Sequence, residues 1–175
     1  MRQTILLLLL AAPAFASDQE RSLRIFFIPN AGQTDPSLRY VVQTAELRAG
    51  FALDSAIFQI HGTQLRVRFA GASSSVTIEG LDAMAARVNF LIGADPAGWH
   101  IGLPTFRGII YRNLYAGIDL SYAGSDPHSN KIKSEFLVAP GADPGRIRLE
   151  YPSADRIFVD ANGDLVVRTG AAELR

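Results

Sequence analysis

The chain has 175 residues and a mass of 19.0 kDa, with 48% hydrophobic and 19% charged side chains, no cysteine and a formal net charge of zero. That length suits one domain whose core needs neither disulfide nor metal staples. The absence of cysteine excludes a disulfide framework, a thiolate nucleophile, Cys-ligated zinc and an iron–sulfur cluster. A pI near 6.8 supplies no basic field of the kind that draws in nucleic acid or an anionic membrane, so neither is an expected partner.

Residues 1–16 read as an export signal: Arg2, an apolar run from Ile5 to Ala12, then Ala14-Phe15-Ala16 as the small-x-small site before a cleavage. The apolar run is far shorter than the ~20 residues that span a bilayer, and polar Ser17-Asp18-Gln19-Glu20-Arg21 follows at once. Residues 17–175 are therefore expected as one secreted or cell-surface domain, with no membrane span after cleavage. Removal of Arg2 leaves that domain with a net charge of −1.

The mature chain is a succession of short apolar or β-branched runs, each closed by Gly, Pro, Asn or Asp, which predicts strands. In chain order they are Leu23–Ile28, Tyr40–Thr44, Gly50–Leu53 leading to Ala56–Ile60, Leu65–Phe69, Val76–Glu79 and Val88–Ile92. Phe106–Tyr111, Ile118–Tyr122, Lys131–Val138, Ile147–Tyr151, Arg156–Asp160 and Leu165–Thr169 follow. About a dozen strands without intervening helices predict an all-β antiparallel sandwich. Only Leu81–Arg87 and the turn opened by Asp143-Pro144 have the makings of a helical turn. Leu65-Arg66-Val67-Arg68-Phe69 and Ile147-Arg148-Leu149-Glu150-Tyr151 alternate apolar and charged side chains, giving each strand one wet face. Ile109-Ile110 and Val166-Val167 break alternation, as covered strands or bulges do. Asn162-Gly163 predicts a tight hairpin with a primed turn between the last two strands.

Candidate chemistry is sparse. His61, His100 and His128 lie in separate segments without metal-ligand spacing, and the two Ser–His–Asp combinations available, Ser121/His128/Asp126 and one using Asp95 beside His100, carry no motif. Asp119 and Glu135, on neighbouring candidate strands, are the minimal carboxylate pair for a hydrolase, with His128 as a further titratable group. Asp160, Asn162 and Asp164 offer oxygens at alternate positions like the start of a calcium loop. Leu165 and Ala171 stand where that loop needs Gly and Glu, so a plain turn is the expectation and a weak Ca²⁺ site the alternative. Trp99, Tyr111, Tyr115 and Tyr122 supply either core or an exposed stacking platform for sugars. No catalytic residue, cofactor or metal is assigned from these patterns.

Several strings carry a family likeness. They are Phe27-Ile28-Pro29-Asn30-Ala31-Gly32-Gln33 with Arg39-Tyr40; Val88-Asn89-Phe90-Leu91-Ile92-Gly93 with Asp95-Pro96 and Trp99; and Pro104-Thr105-Phe106. The run Ile110-Tyr111-Arg112-Asn113-Leu114-Tyr115-Ala116-Gly117-Ile118-Asp119-Leu120 and the run Glu135-Phe136-Leu137-Val138-Ala139-Pro140-Gly141-Ala142-Asp143-Pro144 complete the set. In this order they resemble the N-terminal extracellular β domain, of unknown function, of bacterial proteins that carry SBBP (seven-bladed β-propeller) repeats. The resemblance implies a non-catalytic cell-surface module with an adhesion or assembly role. Its expected partner is a surface protein or glycan, or the propeller of its own chain, and residues 17–175 would be the front of a longer multidomain protein. The alternative reading is a carbohydrate-binding module using Trp99 and exposed tyrosines, and a hydrolase ranks below it. The export reading makes a direct prediction: mass spectrometry of the protein recovered from its producing cell will find Ser17 as the first residue.

Overall fold

A computed structural model describes residues 25–60, 62–125, 131–170 and 172–174. The signal segment 1–16, the start of the strand predicted from Leu23, and His61, Asp126 and His128 lie outside the described residues. The strands are β1 (Ile28–Pro29), β2 (Leu38–Gln43), β3 (Leu47–Ala52), β4 (Ser55–Ile60), β5 (Thr63–Phe69), β6 (Thr77–Phe90) and β7 (His100–Tyr115). They continue as β8 (Ile118–Gly124), β9 (Ile132–Val138), β10 (Leu149–Glu150), β11 (Arg156–Val159), β12 (Leu165–Thr169) and β13 (Ala172–Leu174). All pairings are antiparallel, in three sheets ordered β1-β2-β3-β4-β5-β10, β6-β7-β8-β9 and β11-β12-β13. The fold is the all-β sandwich expected from the strand rhythm.

The sandwich closes on aromatic rings. Residues 42, 49, 58 and 65 stand opposite one another across β2 to β5 and point inward, as do residues 40, 51, 56 and 67 one step along. From the other sheet, Ile109, Tyr111, Ile118, Leu120 and Tyr122 point back at them and are buried. Phe51 meets Tyr122 with ring centroids 5.1 Å apart, and Phe69 meets Tyr111 edge-on at 5.2 Å. Such pairs contribute about 0.5–1.5 kcal/mol each beyond the apolar area they bury.

The chain segment before β2 stitches the two sheets at one corner. Phe27 pairs with Phe106 of β7 through two backbone hydrogen bonds of 2.9 Å, and the next residues, β1, pair with β2. Phe27 is fully buried and its ring lies 5.4 Å from that of Phe51.

Two sequence expectations are corrected. Leu81–Arg87 is not a helical turn; it lies inside β6, which fuses the strands predicted at Val76–Glu79 and Val88–Ile92. The Ala-rich stretch is drawn into the sheet by pairing with β7, whose register shifts between Ala83 and Arg87. Buried Thr105 donates to the Ala86 carbonyl there at 2.8 Å, and Asp82, just before the shift, takes φ 52°. Pairing overrides a weak local preference. The hairpin between β11 and β12 forms as predicted, but not with a primed turn. Within it only Gly163 has positive φ, and the bonds Gly163 N–H to Asp160 O and Asp160 N–H to Asp164 O define a five-residue loop, 160–164, whose fourth residue is the left-handed glycine. Asp143-Pro144 opens a short 3₁₀ turn as expected, with Asp143 accepting from Gly145 N–H at 2.9 Å. Both residue pairs that broke alternation are covered on both faces: Ile109, Ile110, Val166 and Val167 are all buried.

Gly80 is the tightest point of the second sheet, because the ring of Phe106 occupies the space above it. A β-carbon on Gly80 would fall 2.4 Å from Phe106 Cδ1. Gly80→Val is expected to cost about 1–3 kcal/mol by overpacking. Calorimetry should show this as a Tm lowered by about 2–4 °C per kcal/mol.

Candidate functional site

Among the described residues, those that sequence reasoning singled out do not meet at a reactive centre. Asp119 and Glu135 do share the outer face of the second sheet, since Asp119 stands opposite Leu137 and Ser121 opposite Glu135. Each is already engaged. Asp119 accepts from Arg112 Nη1 at 3.0 Å and from Asn113 N–H at 2.7 Å, and Glu135 pairs with Lys133. Arg112 also reaches Glu79 at 3.1 Å, so one guanidinium joins β6, β7 and β8. Asn113 is held in the left-handed region at φ 53°, where the β7–β8 register breaks between Tyr111 and Tyr115. The Arg112-Asn113…Asp119 motif thus pins an irregular strand.

His100 packs over Gly32, its Cε1 3.4 Å from where a β-carbon would stand. Asp95 caps a 3₁₀ turn at Pro96–Gly98 by accepting from Ala97 N–H. Ser121 Oγ donates to the Glu135 carbonyl. Among the described residues no three His, Cys, Asp or Glu side chains gather as a metal set. The Asp160 carboxylate is spent inside its own turn, accepting from Asn162 and Asp164 N–H at 2.8 and 3.1 Å.

The exposed aromatic platform is corrected too. Tyr111, Tyr115 and Tyr122 are buried in the core, because they sit on the inward-facing residues of β7 and β8. Trp99 alone stays partly exposed, its indole N–H donating to the Gly93 carbonyl at 3.2 Å. Burial raises the pKa of Tyr111, Tyr122, Tyr40, Tyr115 and Tyr151, and neighbouring phenols add to the effect at Tyr111 and Tyr122. The Tyr111 hydroxyl has no hydrogen-bond partner among the described residues.

Two recesses are lined wholly by described residues. The first, of about 520 Å³, lies where the turn after β5 meets the β7–β8 turn and the segment 143–148; Ser73, Asn113, Asp143, Arg146 and Arg148 line it. Tyr115 forms its back, the hydroxyl donating to the Arg148 carbonyl at 2.9 Å. The second, of about 290 Å³, is a groove on the outer face of the six-stranded sheet. Its rim is the loop after β1, built around Asn30. That side chain donates to the Asp35 and Leu38 carbonyls and accepts from Gly32 N–H. Gln33 is clamped by Ala31 N–H and the Pro29 carbonyl, so the loop presents Gln33 and Thr34 to the groove. Phe90, the last residue of β6, and Ile92 beyond it also line the groove. Sequence reasoning missed this site; its only signal was a polar residue on each strand, indistinguishable from an ordinary solvated face.

An all-β sandwich with open polar recesses and no assembled reactive centre among the described residues defines a structural class and not an activity. Residues 27–175 match the domain family DUF7948, a domain of unknown function, and the chain belongs to that family. No curated protein and no solved structure matches it. No helix among the described residues is long and apolar enough to cross a membrane.

The buried phenols predict the alkaline limit of the fold. A tyrosine with a raised folded pKa stabilises fully below its unfolded value near pH ~10 and loses that contribution as pH climbs past it. Denaturant midpoints are therefore expected to fall above pH ~10. Tyr111→Phe should flatten that fall and leave neutral-pH stability unchanged or higher, since an unpaired hydroxyl is removed from the core.

Proposed function

We propose that this domain is a non-catalytic interaction module of an exported bacterial surface protein, serving adhesion or assembly and standing N-terminal to a repeat-built β-propeller. The observation that carries the reading is the apolar face of the β11–β13 sheet. Ile157 and Val159 lie two apart on β11, and Leu165 stands opposite Val159, so all three share one face. They are 48%, 66% and 41% exposed. Val167, opposite Ile157 on that face, is buried, so the exposed aliphatic side chains are grouped at the hairpin end of the sheet, and that group supports a partner-facing surface. On the other face Arg156 and Arg168 lie over the Phe158 ring, and Val166 beside it is buried. The non-catalytic reading is supported by Asp119 and Glu135, whose partners are structural and which line neither recess.

The test uses the exported protein in its own cell. A photocrosslinker at Val159 is expected to give one discrete adduct, within the propeller portion of the same polypeptide or on a surface neighbour, while one at exposed Arg39 gives none. Val159→Lys should abolish the interaction captured and change stability by no more than about 0.5 kcal/mol. Absence of any adduct at Val159 in surface-displayed protein, or retention of the protein in the cytoplasm, overturns the reading.

A further inference from the structure

The register of the six-stranded sheet aligns four polar side chains into a single row. Gln43 stands opposite Arg48, Arg48 opposite Gln59, and Gln59 opposite Gln64, so the row crosses β2, β3, β4 and β5 at right angles to the strands. All four residues are exposed, and all four line the groove. None of the four side chains is taken up by a hydrogen bond or ion pair among the described residues. At the 4.7–4.9 Å spacing of neighbouring strands the row is ~14 Å long.

The floor beside the row is apolar. The next row along the strands is Val41, Gly50, Ile57 and Arg66. Over Gly50 the space is taken by the Leu38 side chain, 2.7 Å from where a β-carbon would stand, and Leu38 adds to the apolar floor. Phe90 and Ile92 also line the groove.

We propose that this groove binds a short, extended, carboxylate-bearing oligosaccharide. Primary amides both donate and accept, which suits vicinal hydroxyls that do the same. Apolar floor and a phenyl ring suit the C–H faces of a pyranose. Successive sugar units of an extended chain repeat at close to the strand spacing, so each Gln or Arg of the row faces one unit or its neighbour. Charge decides between neutral and acidic saccharides. Arg48 brings a guanidinium with no ion pair among the described residues, and no carboxylate lines the groove. A guanidinium without a local acid recognises a carboxylate through paired N–H donors.

This site is on a different sheet from the apolar face of β11–β13, so the two proposals succeed or fail separately. The test is titration calorimetry of the full chain, as exported, with trigalacturonate, galacturonate monomer and neutral cellotriose, and heat denaturation of every variant. Trigalacturonate is expected to bind, with affinity that falls as salt rises; monomer and cellotriose should bind at least ~10-fold more weakly. Arg48→Gln should weaken trigalacturonate about tenfold and Gln59→Ala about fivefold, each with Tm unchanged. Arg146→Gln, in the other recess, should leave binding intact. No binding of trigalacturonate overturns the proposal. So does binding that the groove variants do not alter, or binding of cellotriose equal to that of trigalacturonate.

Discussion

The domain depends on the meeting of aromatic rings between its two larger sheets. Phe51 and Phe58 from one side and Tyr111 and Tyr122 from the other form a continuous set of ring contacts, with centroid distances from 5.1 to 6.3 Å. Side chains alternate in a strand, so fixing these rings inward fixes every neighbour outward; a slip of one residue would turn both faces over. The polar row Gln43–Arg48–Gln59–Gln64 is the outward image of the buried row 42, 49, 58 and 65. A surface that presents recognition chemistry is thus placed by the core beneath it.

The corner crossing works in the same direction. Phe27 bonds to one sheet and β1 to the other, and the loop that follows is held by Asn30 and Gln33. The loop that lines the groove is therefore tied to the sandwich closure, and the end of β6 adds to the same lining. Three segments distant in sequence converge on one recess because the sheets they belong to are locked together. Conversely Asp119, a candidate hydrolase carboxylate in the sequence, joins Arg112 and Glu79 in holding β6, β7 and β8 in place where β7 departs from regular register. Exposed pairs of this kind add little stability singly; their effect here is geometric.

Much of the architecture was legible in the residues. The run Leu65-Arg66-Val67-Arg68-Phe69 reads as a strand with one wet face and is one, with its apolar members buried. Asp143-Pro144 signals a capped turn and makes one. The helical reading of Leu81–Arg87 failed because alanines carry no strand signal of their own and became strand only by pairing with β7. Core was the first reading of Tyr111, Tyr115 and Tyr122 and it holds; the platform alternative stayed open because a tyrosine suits core and surface alike until the facing sheet is in place.

The sequence alone determined an all-β domain, the positions of most strands and the absence of any cysteine chemistry, since these follow from local alternation, turn residues and composition. Only the tertiary structure decided which polar residues stand side by side. Gln43, Arg48, Gln59 and Gln64 come from four strands, and nothing in their spacing announces a row; their adjacency exists only once hydrogen-bonded register has been set by the burial of Val42, Ala49, Phe58 and Leu65 on the other face.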